Sequence, residues 1–368
     1  MIKIFRCLFL LFLPLQLFCA KPTELLFIVQ DAGETNAFLP FMRLLDEKKI
    51  SFHVLAGGTG EEILSKHSFL KERLSSTNFE KSCPRDKKLS SQEIEQFVSM
   101  FSPKRILAGV AFEFQGQLME AFHKTGSKTF AYWDNFGDDG DNPYFSTAHI
   151  VEKKADVVLL PSQIVKDAPT FKDRKELFVV GQPSLSFWQK GCIPEDFRKK
   201  LSLSKEKKII LYVGGYGQDY EEAFYLFLKL LSHGDLRAST VLIVPHPKVD
   251  GSFERNALED MSLPIDIRVL SGVSTVDMAK VCDIVLCHQS TVGMQALAIP
   301  KPVLFIMPKE QNYQNFIIDK GWVKRISEED ALDEEIEKAL KSTAPNLFSL
   351  MGIPENAEER MFEVIFSK

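Results

Sequence analysis

The chain has 368 residues, 45% of them hydrophobic and 26% charged, with a formal net charge of −5. That length suits two domains with separate cores, and that composition excludes wholesale disorder. The negative balance argues against nucleic acid as a partner, since basic runs such as Arg85-Asp86-Lys87-Lys88 are interleaved with acids and read as solvated faces.

Residues 1–20 differ from the rest. Lys3 and Arg6 precede an apolar stretch, Leu8 to Phe18, followed by Cys19 and Ala20. This is the layout of a secretory signal peptide, and the stretch is short for a bilayer span. The expectation is export, to a periplasmic or membrane-associated location with peripheral membrane association, or else an uncleaved anchor. Phe18 is too large for a good lipid-attachment site at Cys19. Cys83, Cys192, Cys282 and Cys287 remain, without the Cys-x-x-Cys pair of a zinc or thioredoxin site. Spacing leaves open whether Cys83 and Cys192 are joined. Phe is overused at 30 residues, for which core filling is one reading.

The apolar run Leu25 to Gln30 reads as a strand, Asp31-Ala32-Gly33-Glu34 as a turn with capping acids, and Phe38 to Lys48 as an amphipathic helix. Phe52 to Ala56 is a second strand, closed by Gly57-Gly58-Thr59-Gly60, and Glu61 to Leu74 suits a helix. A polar loop from Ser75 to Ser91 follows. Gln92 to Phe101 reads as a helix, Arg105 to Ala111 as a strand, Gln115 to Lys124 as a helix and Lys128 to Trp133 as a strand. Such alternation predicts a parallel sheet covered on both faces. The segment Tyr132 to Tyr144 then carries Asp134, Asp138, Asp139 and Asp141 among Gly and Pro breakers. At a sheet's carboxyl edge, one of these acids can serve as a general base, or the segment is simply a solvated acidic loop. It lacks the spacing of a calcium-binding EF-hand.

Ala155 to Pro161 and Leu177 to Val180 are further strands, the latter leading into Gly181-Gln182-Pro183. A polar, basic stretch with Gly191 and Pro194 marks a linker at 191–206, between a domain at 21–190 and another at 207–368. The second half opens with a strand, Lys208 to Val213, then Gly214-Gly215-Tyr216-Gly217 and a helix, Tyr220 to Ser232. Such a turn lets backbone N–H groups approach a phosphate, or is only a tight turn. Strand Thr240 to Val244 ends in Pro245-His246-Pro247, which presents an imidazole rigidly. Strand Ile267 to Leu270 and helix Ser274 to Val281 lead to strand Ile284 to Cys287. The polar turn His288-Gln289-Ser290-Thr291 follows, then a helix carrying Gln295, stopped by Pro300 and Pro302, and strand Val303 to Met307. A helix start at that edge favours an anionic ligand.

Taken in order, Gly181-x-Pro183, Gly214-Gly215, His246-Pro247 and Ser290-Thr291 resemble the glycosyltransferases with two facing Rossmann-like domains, the B-type fold, over nearly all of residues 24–366. Asp138-Asp139-Gly140 and His246-Pro247 resemble motifs of bacterial sialyltransferases, and His-Pro also resembles cytidine-donor glycerophosphate transferases. The resemblance implies an α/β protein with a ligand cleft between two Rossmann-like domains. It implies metal-independent transfer of a sugar from a nucleotide-sugar donor to a glycan or lipid-linked acceptor, with no separate cofactor. Asp31, Gly33 and Glu34 would lie on the acceptor side, and Asp134, Asp138 or Asp139 would be the base. His246 would meet the donor phosphate as ligand or general acid. Gly214, Gly215, Tyr216, Gly217, His288, Ser290, Thr291 and Gln295 would surround the donor. Gln295 departs from the pattern, because those families place there a Glu that holds ribose hydroxyls. An amide can still bond a diol, without charge. Two alternatives stand beside transfer: an exported, non-catalytic protein binding a glycan or phosphate ligand on the same scaffold, and a sugar-nucleotide 2-epimerase-like enzyme.

Overall fold

The computed structural model describes residues 21–137, 143–189, 195–246, 248–259, 261, 263–288, 290–311 and 316–367. Residues 1–20, expected to be a signal peptide, and Asp138, Asp139, Cys192, Pro247 and Gln289 lie outside the described residues.

Residues 21–179 supply one sheet of seven strands. These are β1 (Lys21–Val29), β2 (Phe52–Ala56), β3 (Leu74–Ser76), β4 (Phe101–Ala108), β5 (Lys128–Tyr132), β6 (Val157–Leu160) and β7 (Leu177–Val179). Their order is β3-β2-β1-β4-β5-β6-β7. A second sheet holds β8 (Lys208–Val213), β9 (Ser239–Val244), β10 (Asp266–Val269), β11 (Ile284–Cys287), β12 (Val303–Ile306) and β13 (Lys324–Ile326), in the order β10-β9-β8-β11-β12-β13. Every pairing is parallel. The strand order reverses between β1 and β4 and again between β8 and β11, and crevices open at the carboxyl ends beside such reversals.

The central strands are continuous apolar runs because both faces are covered: every residue from Leu25 to Val29 and from Ile284 to Cys287 is fully buried. Phe27 meets Phe38, Phe41 and Phe52 with ring centroids 5.6, 6.0 and 5.7 Å apart, so part of the Phe excess fills this core. The helix Ala357–Phe366 follows the second sheet in sequence but packs on the helix Ala32–Glu47. Its Met361 and Ile365 enter the core of the first sheet.

Two local expectations change. The helix expected over Glu61 to Leu74 is confined to Gly58–Leu64, with a 3-10 turn at Ser68–Leu70, and Leu74–Ser76 is instead edge strand β3. Three residues reading Leu-Ser-Ser carry no period and little β-propensity, so only pairing with β2 makes them a strand. Strand β4 begins at Phe101 and ends at Ala108, seated against β1 from Lys21 onward. Among the described residues no helix is long and apolar enough to cross a membrane.

Candidate functional site

The carboxyl ends of β8, β9 and β11 enclose a pocket of about 600 Å³ lined by Val213 to Tyr220, His246, His288, Ser290 and Thr291. Gly214 lets two loops abut, because a Cβ there would lie 2.9 Å from the Pro245 backbone and 3.0 Å from that of His246. Gly217 caps the helix Gln218–His233 at φ 88° and ψ 170° with no side-chain bond to the first turn. Ser290 caps the helix Thr291–Ala296, accepting from the Val292 N–H at 3.2 Å. Two helix starts therefore reach one pocket, and their N–H groups and dipoles favour an anion there. Gly217→Ala is expected to cost about 1–3 kcal/mol, since φ is left-handed while the added methyl meets open space. Urea unfolding reads that loss, and unchanged stability would show that the backbone relaxes.

Both imidazoles of the pocket have assignable protons. Lys248 N–H donates to His246 Nδ1 at 3.1 Å, which puts the proton of the neutral ring on Nε2. The ring packs on Tyr216 with centroids 4.7 Å apart, and the Lys248 ammonium lies 4.8 Å above the Tyr216 ring. Burial, aided by the Lys248 charge, lowers the pKa of His246. His288 is 6% exposed, with Nε2 2.8 Å from Gln311 Oε1. Burial lowers its pKa too, against the Gln311 bond. Of the residues expected around the donor, Gln295 alone lies elsewhere. It lines a neighbouring cavity of about 460 Å³ with Asn36, Ser184, Trp188, Asp277 and Lys280. Lys280 ties that seam together by donating to the Phe187 carbonyl at 3.0 Å.

A second cluster forms at the carboxyl ends of β1, β4 and β5. Asp31 caps the helix Ala32–Glu47, accepting from the Ala32 N–H at 2.8 Å, and pairs with Arg85 at 3.3 Å. Glu34 completes a capping box and is only 1% exposed. It accepts from Gln115 Nε2 at 2.9 and 3.0 Å and from the N–H groups of Gln30 and Asp31. Burial raises its carboxyl to about 8, with Asp134 adding to the rise and these donors opposing it. With its oxygens so engaged, Glu34 pins the helix start to the strand edge.

Gly33 is exposed, and a Cβ there would lie 2.2 Å from Asp134 Oδ2, so the missing side chain makes room for that carboxylate. Asp134 is half-buried and accepts from the Tyr144 hydroxyl. Burial raises its carboxyl to about 6 and the Asp31 charge adds to this, while the Tyr144 bond and the Arg85 charge lower it. A carboxyl raised to about 6 at a sheet's carboxyl edge has a pKa suited to a general base.

Arg85, Gln115 and Tyr144 escaped the sequence reading as functional candidates. Arg85 belongs to the loop expected to be solvated, yet its guanidinium lies 5.4 Å over the Phe112 ring and 5.2 Å over that of Tyr144. Tyr144 closes the acidic segment, and its position there was the available signal. No group of three or more His, Cys, Asp or Glu that could hold a metal ion occurs among the described residues.

No family model matches the chain, and no curated protein matches it in sequence. Solved structures do match in shape. The UDP-GlcNAc 2-epimerase from Methanocaldococcus jannaschii superposes with a TM-score of 0.68 at 13% identity, over 94% of this chain and 99% of the other. The UDP-GlcNAc 2-epimerase from Neisseria meningitidis, solved bound to UDP-GlcNAc, gives 0.68 at 14% identity, over 94% and 100%. The Acinetobacter baumannii MurG gives 0.57 at 13% identity, over 94% and 100%. At such identities the likeness is one of fold: two Rossmann-like α/β domains in the B-type arrangement.

Proposed function

We propose that the chain binds a nucleotide-activated sugar and transfers the sugar to an acceptor hydroxyl. The observation that carries this is the convergence of two helix starts and the His246 Nε2–H on one pocket at the switch point of the second sheet. Donor phosphate sits on the Gly214–Gly217 turn and on Ser290 and Thr291. Gln295, which lines the adjoining cavity with Trp188, bonds sugar hydroxyls of the nucleoside in this reading. Asp134 takes the proton from the acceptor hydroxyl as its oxygen bonds to the sugar. The bond from sugar to phosphate oxygen breaks, its electron pair stays on the phosphate, and His246 and the helix dipoles stabilise that charge. The neighbours' UDP-GlcNAc 2-epimerase names supply a second reading. It draws on two carboxyls held apart at about 8 and about 6, the pattern of an acid and a base. Burial of Glu34 favours transfer, because a carboxyl engaged on all sides cannot reach a ligand. Under the signal-peptide reading of residues 1–20 the protein works outside the cytosol, and a non-catalytic binding role would use the same pocket.

Uridine or cytidine diphosphate sugars are expected to raise the melting temperature. The stabilisation is about 2.7 kcal/mol at a hundredfold excess over Kd. A His246→Ala, Ser290→Ala double variant should lose that shift. If no uridine or cytidine nucleotide, free or sugar-linked, moves the melting temperature of the wild type, the reading fails.

A further inference from the structure

Among the described residues, His288 is the one buried polar side chain of the phosphate pocket that the transfer reading leaves without a task. Its partner Gln311 is not free to turn. The Gln311 Nε2 donates to the Asp219 carbonyl at 2.8 Å and to Glu222 Oε2 at 3.3 Å, so the amide oxygen is what meets the imidazole. His288 Nε2 therefore carries a hydrogen, and a neutral ring then bears a bare lone pair on Nδ1. Among the described residues none donates to that nitrogen, although the side chain is more than nine-tenths buried and lines the pocket. His246 has the opposite polarity, with Nδ1 occupied by the Lys248 N–H and Nε2–H left as a donor. One wall thus offers a hydrogen and the other a lone pair, beside the start of the helix Gln218–His233.

We propose that His288 reads a hydrogen-bond donor on the ligand: the group entering this pocket carries, next to its phosphate, a hydroxyl or N–H that donates to Nδ1. A glycosyl phosphate meets that demand and a simple alkyl phosphate does not. The ligand lacking a donor leaves a desolvated lone pair unpaired, and a site built around a polar group discriminates strongly on that ground. Gln311 is a positioning residue that fixes the tautomer. The inference rests on the reading of the pocket as a phosphate site.

Two measurements on the full chain test it. Long-range proton–nitrogen spectra of the histidine rings are expected to show His288 as the Nε2–H tautomer at pH 7 without ligand. An Nδ1–H tautomer or an imidazolium would overturn the inference whatever the protein binds. Calorimetric titration with glucose 1-phosphate and with methyl phosphate is expected to favour the sugar phosphate about tenfold, the size of one well-made hydrogen bond. His288→Ala should bring that ratio to about one with methyl phosphate affinity kept. Gln311→Leu removes the acceptor that fixes the tautomer, so Nδ1 is no longer held as a bare lone pair. It should narrow the ratio with methyl phosphate affinity kept, and it carries the test if His288→Ala fails to fold. Equal affinity of the wild type for both probes overturns the inference and leaves the phosphate pocket standing. Binding of neither overturns the pocket, and the inference with it.

Discussion

Asp134→Asn is expected to slow sugar transfer by about 10²–10⁴-fold while nucleotide affinity stays within about twofold. The amide keeps the shape and can still accept from the Tyr144 hydroxyl, but it cannot take a proton. The surroundings of Asp134 add a pH signature. With a carboxyl near 6, the wild type should gain activity as pH rises through about 6, because the working form is the ionised one. Tyr144→Phe removes a donor that stabilises the carboxylate, so that acidic limb should move to higher pH. Initial rates of the three proteins across the pH range, with a donor found by melting-temperature shift, check both statements. If the Asn protein turns over within a few-fold of wild type, Asp134 is not the base and the transfer mechanism loses its proton acceptor.

Gly109→Ala should be among the most destabilising single substitutions in the chain, at about 3 kcal/mol or more. A Cβ at this position, just past β4, would fall 1.4 Å from Glu34 Oε2 and 2.3 Å from its carboxyl carbon. Glu34 cannot yield cheaply, because Gln115 and the backbone of Gln30 and Asp31 hold both its oxygens. The Gln115 amide is itself oriented by the Phe112 N–H at 3.0 Å. A double-mutant cycle separates this from generic strain. In a Glu34→Ala background the same glycine substitution should cost only about 1 kcal/mol, because of these clashes only the contact with the residue-34 Cβ, at 3.0 Å, remains. Equal costs in the two backgrounds, read by urea unfolding, would refute the clash.

These two sites differ in how far the sequence shows them. The sheets are legible because buried parallel strands are apolar runs, as in Leu25–Val29 and Ile284–Cys287, and the glycines, His246 and Ser290 mark their carboxyl ends. Edge strands β3 and β13 are not, since Leu-Ser-Ser and Lys-Arg-Ile owe their conformation to a neighbour. The supporting residues are hidden for a related reason. Gln311 reaches His288 across 23 positions, Arg85 reaches Asp31 across 54 and Gln115 reaches Glu34 across 81. Nothing in the local pattern of an amide or an arginine announces a partner that only the strand order brings near.

The helix Ala357–Phe366 bears on how the protein is made. The first sheet is synthesised by residue 179, yet Met361 and Ile365 belong to its core. At about 5–20 residues per second, roughly ten to forty seconds separate the two on the ribosome. During that interval the apolar surface meant for these side chains stands open, through the whole synthesis of the second sheet. The core of the first half is therefore completed only after the second half has been translated.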